Sequence, residues 1–478
     1  LLAASLSGCA PGLVAEKVAP TGIYLIDAPD IPPTSSPAEQ PKTSISVGTV
    51  RSAPGYASTD MIWASAMARY ILDNDLADTE FLRTKVNQVE EFRQSLEPFT
   101  MDFAAEKTGI PRQQLIDAAQ MIAAADSVCL LWAMGITQHS HGADTSTSLS
   151  NLLLVTGNYG KPGTGGYPMR GHNNVQGASD FGCLKNMYPG YEKVSDDAVR
   201  AKWAKAWGVA PDQLSSEVGS DNFLMVQDAG TEKLKAMYII GENPFVSDPD
   251  LGHVEEAFKH LDFLVVQDIF PTETTAYADV ILPGVAFAEK NGTFVNSDRR
   301  VSRVRKAVDP PGFARQDWKI IWEIAQRMGY PMKSYRNESE IFNEIAAVAP
   351  MMAGITYDRI ERQGLQWPCP TKDHPGTGTL FLDKFNTPSG RAVLHMVDYV
   401  AQTEKTDIDY PFLLNTGRIL YQFHTCTMSR RNKALTDFAN RSYLLMHPDD
   451  AAKLGLKKGV RVKVVSRQGE IDTRLRHS

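Results

Sequence analysis

The stretch AMYIIGENP at residues 236–244 decides the fold class. Five apolar residues followed by glycine and then proline predict a short strand and a tight turn. A helix is predicted over residues 250–261, followed by strands over 263–267 and 278–282, the last of them stopped by Pro283. Strand–helix–strand spacing of this length predicts a parallel sheet with helices on both faces.

A comparable unit precedes this stretch in the chain. Amphipathic patterns predict helices over residues 61–72, with Asp60 as the N-cap, and over 106–125. An apolar strand is expected at 128–132 and a further helix at 144–154. Parallel sheets bind ligands beyond the carboxyl ends of their strands. The turns that follow strands are therefore candidate binding loops: residues 134–138, 241–243 and 267–274.

The C-terminal part alternates apolar with charged residues and predicts a small β-barrel of the double-psi-like kind, expected to stop in mid-strand. Its strands are expected at 412–415, 460–466 and 470–475, with a helix at 449–454. The fold class predicted for the whole chain is α/β, with Rossmann-like parallel sheets flanked by helices and a C-terminal barrel. The expected divisions are a tail and linker (1–58), two α/β domains (59–171 and 172–285), a connecting segment (286–405) and the barrel (406–478).

Composition excludes several classes of function. A net charge of -7 provides no positive field for nucleic acid or an anionic membrane. The five cysteines form no CxxC pair, which argues against a disulfide framework, a zinc finger or an iron–sulfur site built from this chain alone. No apolar run is long enough to span a bilayer. The expected location is the cytoplasm, with the periplasm as an alternative because residues 6–9 resemble a lipoprotein signal.

The stretch YPMRGHNNVQGASD at residues 167–180 is the strongest functional signal. Glycine lets the backbone approach a ligand closely, and side-chain amides can both donate and accept hydrogen bonds. A single arginine, Arg170, held among such residues is suited to clamp a carboxylate or a phosphate. The alternative is a long surface loop rich in turn residues.

Four segments together resemble the molybdopterin-dinucleotide oxidoreductases and, within them, the catalytic alpha subunits of formate dehydrogenases. The segments are residues 134–142, 155–180, 265–293 and 416–431. The resemblance implies two pterin guanine dinucleotides that carry molybdenum or tungsten. It implies formate as substrate, with Arg170 beside the metal, and partner subunits that carry iron–sulfur or flavin centres. The cofactor contacts it implies are Met134, Gln138, Gly171, His172, Asn173, Asn243, Gln267, Asp268, Lys290, Asp317, Thr416, Gly417, Arg418, His424 and Thr425.

The resemblance also shows what the chain lacks. Family members ligate the metal through a cysteine or selenocysteine followed by histidine, and they hold a 4Fe–4S cluster near the N-terminus. Neither motif occurs in this sequence, so no metal ligand is assigned and the chain is expected to be part of a catalytic subunit, inactive alone. His139 and His141 are interpreted as loop residues, and Cys426 stands where relatives commonly have glycine.

Two alternatives to a formate dehydrogenase remain open. The first is another member of the same superfamily, a nitrate reductase or a reductase of an arsenic or sulfur oxyanion. The run from Arg170 to Asn174 argues against it, because those relatives lack this run. The second is a non-catalytic scaffold with the same fold and no pterin. The joint presence of Gln138, Asn243, Asp268 and Lys290 argues against the scaffold.

Overall fold

The structure is a computed structural model that describes residues 11–14, 45–46, 57–138, 141–400, 406–417, 419–439, 442–467 and 469–477. Several predicted features lie outside these residues: the lipoprotein-like signal at 6–9, His139, Arg418 and most of the tail and linker expected over 1–58, of which only 11–14, 45–46 and 57–58 are described. Within them, no helix is both long and apolar enough to cross a membrane.

The α-helices and β-strands follow one another along the chain in the order that the α/β prediction requires. The helices are α1 (Ala57–Asp73), α2 (Thr79–Lys85), α3 (Val89–Ser95), α4 (Met101–Thr108), α5 (Arg112–Ala124), α6 (Met134–Thr137), α7 (Gly142–Val155), α8 (Val175–Asp180), α9 (Asp197–Trp207), α10 (Asn222–Gly230), α11 (Pro244–Ser247), α12 (Leu251–Phe258), α13 (Asp317–Arg327), α14 (Glu338–Val348), α15 (Lys433–Phe438) and α16 (Pro448–Lys453). The strands are β1 (Pro11–Val14), β2 (Ile45–Ser46), β3 (Val86–Asn87), β4 (Val128–Trp132), β5 (Gly165–Pro168), β6 (Met187–Tyr188), β7 (Glu192–Lys193), β8 (Ala236–Ile240), β9 (Phe263–Asp268), β10 (Val280–Pro283), β11 (Gly292–Val295), β12 (Arg300–Val304), β13 (Leu365–Gln366), β14 (Ala392–Val393), β15 (Leu413–Thr416), β16 (Tyr443–Met446), β17 (Arg461–Val465) and β18 (Glu470–His477). Short 3₁₀ helices cover Pro211–Gln213, Thr274–Tyr277, Phe287–Glu289, Pro350–Met352 and Ser429–Arg431.

The first α/β unit is built around α1, whose apolar residues are buried among α4, α5 and α7. Its parallel sheet has the strand order β2-β4-β5. Two predictions in this unit are wrong. Asp60 is not an N-cap, because it lies within α1, where it is buried and accepts a hydrogen bond from Trp63 Nε1 at 3.0 Å. The helix expected over 106–125 is broken after Thr108, because Gly109 takes a left-handed φ of 70° and Pro111 restarts the chain.

The second α/β unit confirms the prediction from residues 236–244. Strands β8, β9 and β10 are parallel and lie in the order β10-β9-β8. Helices α10 and α12 bury one face of the sheet, through a core of Val226, Ile239, Val254, Phe258 and Val266. The opposite face is apolar and largely exposed at Tyr238, Ile240, Phe263 and Val280, so helices do not cover both faces of this sheet among the described residues.

The connecting segment forms a third core and then returns to the first unit. The antiparallel hairpin β11–β12 pairs with β13 and packs against α14 and the turn at Pro350–Met352. Further along, β14 pairs in parallel with β3, and Leu394 is buried in the core of the first unit.

The C-terminal domain begins at β15, which pairs with β1 from the N-terminal tail in antiparallel register. Its second sheet has the order β16-β18-β17, with β16 parallel and β17 antiparallel to β18. Leu444, Met446, Ala451 and Leu475 form its core. Strands β15, β17 and β18 and helix α16 are those that the sequence predicted for the barrel.

Candidate functional site

The carboxyl ends of β8, β9 and β10 meet at one edge of their sheet, because the three strands are parallel and neighbouring. Asn243 follows β8, Asp268 ends β9 and Pro283 ends β10. This edge of an open parallel sheet is where such folds bind ligands. The candidate residues that the sequence placed on the turns 241–243 and 267–274 therefore line one region, whereas the turn 134–138 follows β4 of the other parallel sheet.

Asn243 is almost completely buried, and its amide is shared between two domains. Its Oδ1 accepts hydrogen bonds from the backbone N–H and the hydroxyl of Thr274, at 3.2 and 2.7 Å. Its Nδ2 donates to Glu273 Oε2 at 2.9 Å and to Thr427 Oγ1 at 3.2 Å. Asn243 thus shapes the turn after β9 and ties it to the C-terminal domain.

A chain of polar side chains runs along the same edge of the sheet. Gln267 is 1% exposed, accepts a hydrogen bond from the Tyr238 hydroxyl, and donates through Nε2 to Asp317 Oδ1 at 2.7 Å. The other carboxylate oxygen of Asp317 forms an ion pair with Lys290. Three predicted contacts, Gln267, Lys290 and Asp317, therefore form one hydrogen-bonded group, and sequence reasoning missed its fourth member, Tyr238.

Asp268 ends β9 at the same edge of the sheet. Burial raises the pKa of the Asp268 carboxyl above its ordinary value, although the N–H groups of Ile269 and Phe270 and the positive charge of Arg431 oppose the rise. Its Oδ1 accepts the N–H of Ile269 at 2.6 Å. A half-buried carboxylate here can accept hydrogen bonds from the N–H edge of a heterocycle such as guanine.

A cleft of ≈ 330 Å³ opens beside Asp268 and Asp317. Its walls are mostly apolar, and a carboxylate from Glu289 joins them; the lining residues are Ile269, Phe270, Pro283, Gly284, Ala286, Glu289, Pro311, Phe313 and Ala314. Clefts with apolar walls and few polar groups are typical sites for flat organic ligands.

The loop of residues 170–174 lies between β5 and α8 and is exposed around Arg170. The backbone N–H of Arg170 donates to Ser297 Oγ at 3.3 Å, and Asn174 Oδ1 accepts the N–H of Val295 at 2.9 Å. Both contacts hold the loop on the β11–β12 hairpin. Among the described residues, the guanidinium of Arg170 forms no ion pair or side-chain hydrogen bond, so it is available to an anion.

The same loop contacts the C-terminal domain. The rings of His172 and His424 are stacked, with centroids 4.1 Å apart and an interplanar angle of 16°, and Phe423 packs edge-on against both. A Cβ atom at Gly171 would lie 2.5 Å from His424 Nε2, so only glycine fits without displacing that ring. Gly171, His172 and His424 therefore lie together at the contact between the loop and the C-terminal domain, while Asn173 is exposed on the same loop.

Two arginines dock the C-terminal domain on the strand-end cleft. Arg430 donates to both oxygens of Glu273, at 2.6 and 2.9 Å. Arg431 donates to the carbonyl of Pro271, and its guanidinium lies 4.8 Å from the ring centroid of Phe270. Both arginines lie in the segment 416–431 that resembles the family, but the sequence pattern does not show which domain their side chains face.

The remaining predicted contacts are less directly connected to this cleft. Met134 and Gln138 lie in and just after α6, beyond the carboxyl end of β4. Thr425 lies in the docked loop, 3.4 Å from Thr427 between their hydroxyl oxygens. Thr416 ends β15 and Gly417 follows it in an exposed position, whereas Arg418 lies outside the described residues.

The chain is similar to known proteins in sequence and in fold. The chain matches the family Molybdopterin oxidoreductase over residues 60–327 and the Molydopterin dinucleotide binding domain over residues 412–478. It is 44% identical over 414 residues to a formate dehydrogenase alpha subunit of Methanococcus maripaludis, covering 86% of this chain and 60% of the relative. It is 43% identical over 419 residues to one of Methanocaldococcus jannaschii, covering 87% of this chain and 61% of the relative.

A probable oxidoreductase of Bacillus subtilis is 44% identical over 416 residues, which cover 87% of this chain and 42% of the relative. The chain thus spans roughly 40 to 60% of the length of these curated relatives. Among solved structures, the acetylene hydratase of Pelobacter acetylenicus shares the fold, with a TM-score of 0.63 at 18% identity over 88% of this chain and 61% of that one.

The first matched region contains the cleft beside Asp268, and the second contains the C-terminal loop with Thr427. The hydrogen bond from Asn243 to Thr427 joins the two regions. The chain belongs to the molybdopterin oxidoreductase family and carries its dinucleotide-binding domain at the C-terminus.

Proposed function

We propose that this chain is part of a formate dehydrogenase catalytic subunit, which oxidises formate to carbon dioxide at a molybdenum or tungsten centre held by two pterin guanine dinucleotides. The observation that carries the proposal is the uncommitted guanidinium of Arg170, held on an anchored loop that faces the dinucleotide-binding domain. The names of the relatives from the two methanogens support formate as the substrate.

The residues at the strand ends fit a guanine dinucleotide. Asp268 offers carboxylate oxygens to the N–H groups of guanine, and the apolar walls of the adjacent cleft suit the faces of a purine. Hydroxyls of Thr425 and Thr427, with Arg430 close by, offer donors to a pyrophosphate. Asn243 and Gln267 are buried and bonded to protein groups, so they hold the cradle in shape from behind.

Arg170 is the residue of this chain that binds and orients formate in the proposed reaction. Formate has two equivalent oxygens and one C–H bond, and a guanidinium can bind both oxygens and fix the direction of that bond. The loop is held against the C-terminal domain by the stacked rings of His172 and His424 and by the close approach of Gly171. This contact restricts the access of water to the anion site at Arg170. The pterin-borne metal centre that these loops would hold would supply the two-electron acceptor needed for formate to become carbon dioxide and a proton.

The domain limits are part of the proposal. Separate apolar cores within residues 172–285 and 406–478 support those two divisions, whereas the core of residues 59–171 also includes Phe385, Ala392 and Leu394 of the connecting segment. Electrons are proposed to leave through a 4Fe–4S cluster and partner subunits with iron–sulfur or flavin centres. A cytoplasmic location is part of the proposal, with the periplasm as the alternative.

The test is turnover of formate by the holoenzyme with Arg170 replaced. Arg170→Ala is expected to lower kcat/KM for formate roughly 100-fold, and Arg170→Lys roughly tenfold, since a lysine keeps the charge and loses the two-pronged geometry. Arg336→Ala, which removes an exposed arginine from the start of the α14 region, serves as the control and should be unchanged. Unchanged formate turnover in Arg170→Ala, or reduction of nitrate without oxidation of formate in the wild type, would contradict the proposal.

A further inference from the structure

Asp180 is a buried carboxylate at the end of α8, directly behind the loop that presents Arg170. It is 0% exposed and accepts hydrogen bonds from Gln176 Nε2 at 2.7 Å, from the Tyr191 hydroxyl at 2.7 Å and from Trp367 Nε1 at 2.6 Å. None of the ion pairs between described residues includes it. A buried carboxylate without an ion pair is costly, and three donors of this kind offset part of the cost.

The three donors come from different parts of the chain. Gln176 lies on α8 itself, Tyr191 precedes β7, and Trp367 follows β13. Gln176 Nε2 also donates to the Tyr191 hydroxyl at 3.0 Å, so the group is closed on itself. Asp180 is thus the point at which α8, the β6–β7 hairpin and the connecting segment are joined.

Charges near Asp180 link it to Arg170. Burial raises the pKa of the Asp180 carboxyl, whereas its three hydrogen-bond donors and the positive charge of Arg170 act in the opposite direction. A second arginine, Arg299, stacks on the Trp367 ring with its guanidinium 5.3 Å from the ring centroid. The negative charge of Asp180 therefore interacts electrostatically with the guanidinium of Arg170, the group proposed to bind the substrate anion.

The loop between Arg170 and α8 is short and fixed at both ends. Ser297 and Val295 hold its beginning and its end on the β11–β12 hairpin, and a Cβ at Gly177 would lie 3.3 Å from Val295 Cγ2. A displacement of α8 is therefore expected to move the loop as well, because α8 packs directly on the β11–β12 hairpin to which the loop is bound.

We propose that Asp180 is the positioning residue for Arg170: its carboxylate fixes α8 and orients the guanidinium toward the substrate anion. This inference rests on the proposed function and adds a residue that acts through Arg170 without touching formate. It predicts a change in substrate affinity greater than the change in the rate of the chemical step.

The test is Asp180→Asn in the holoenzyme. The NH₂ group of the new asparagine would face one of the three groups that donate hydrogen bonds to the carboxylate, so one hydrogen bond is lost and α8 shifts. The KM for formate is therefore expected to rise roughly tenfold. The kcat should fall less than about threefold, and the metal and guanine dinucleotide content should not change. Tyr191→Phe, which removes one donor and keeps the charge, should raise the KM by a smaller factor, roughly threefold.

A double-mutant cycle separates positioning from general damage. If Asp180 acts through Arg170, then Asp180→Asn should leave kcat/KM unchanged in an Arg170→Ala background, measured under the same conditions. A full Asp180→Asn effect in that background, or a wild-type KM in Asp180→Asn, overturns the inference and leaves the proposed function standing. If Arg170→Ala alone leaves kcat/KM for formate unchanged, the proposed function is overturned. Should Asp180→Asn fail to fold, Trp367→Phe and Tyr191→Phe answer the same question with the carboxylate in place.

Discussion

Cys426 shows how one backbone angle can constrain residue type. It lies in the docked C-terminal loop with a φ of 65° and is only 3% exposed, at a position where the family resemblance implies glycine. Residues with a Cβ are strained in this left-handed region, whereas glycine is not. The structure thus gives a conformational reason for glycine at this position.

Replacing Cys426 by glycine and by alanine forms a matched pair that isolates this strain. Both variants lose the thiol, but only Cys426→Gly removes the Cβ, so it should be more stable than Cys426→Ala by about 1 kcal/mol. Denaturant unfolding followed by fluorescence measures the difference. Equal stability of the two variants would show that the loop relaxes away from positive φ when the side chain shrinks.

At the scale of the element, β8 has two different faces. Ile239 is 6% exposed in the core beneath α10 and α12, whereas the next residue, Ile240, is 46% exposed on the opposite face of the sheet. The alternation that makes neighbouring residues face opposite sides is a property of every strand. Which side acquires helices depends on where the rest of the chain packs.

Substitution of these two neighbours by alanine measures that difference. Ile239→Ala should lower the free energy of unfolding by roughly 2 to 4 kcal/mol, because it leaves a cavity beside Val254 and Phe258. Ile240→Ala should lower it by less than about 1 kcal/mol, since much of the side chain is already in water. Urea unfolding of both variants, with unchanged m-values, is the measurement, and equal losses would mean that another part of the protein covers Ile240.

At the scale of the whole molecule, the C-terminal domain is held on the second α/β unit by the Arg430–Glu273 pair. Burial acts to raise the pKa of the Glu273 carboxyl, but hydrogen bonds from Asn243 and Arg430, and the charge of Arg430, outweigh it and lower that pKa. A lowered folded-state pKa means that the contact stabilises the fold above the ordinary glutamate value of 4.5 and loses this effect as the pH falls through the lowered value.

The variant Arg430→Gln should therefore be less stable than the wild type near neutral pH, by about 1 kcal/mol or less because the pair is partly exposed. The difference should shrink as the pH falls below 4.5. Thermal unfolding across this range measures it, and in a Glu273→Gln background, which lacks the titrating group, the effect of Arg430→Gln should show no such dependence on pH. A constant difference between wild type and Arg430→Gln at every pH would rule out the ion pair as its cause.

Local patterns were sufficient for most individual elements. The apolar run at 236–240 gave a strand because five such residues between turn formers have few other local structures, and the strand at 128–132 appeared with its predicted bounds. The break between α4 and α5 was missed although Gly109 and Pro111 were both visible, since the apolar periodicity continues across them. Periodicity reports which side of a helix is buried and is insensitive to a one-residue change of backbone direction.

The sequence by itself determined the parallel α/β units, the glycine- and amide-rich loop around Arg170, and the family resemblance, because these depend on the order and spacing of neighbouring residues. Only the tertiary structure decided that Asn243 bonds with Thr427, that Arg430 reaches Glu273, and that Trp367 donates to Asp180. Each of these pairs joins residues more than 150 positions apart, and their contact depends on how separate cores pack. Hydrogen bonds and ion pairs have no periodicity along the chain, so no local pattern can specify their partners.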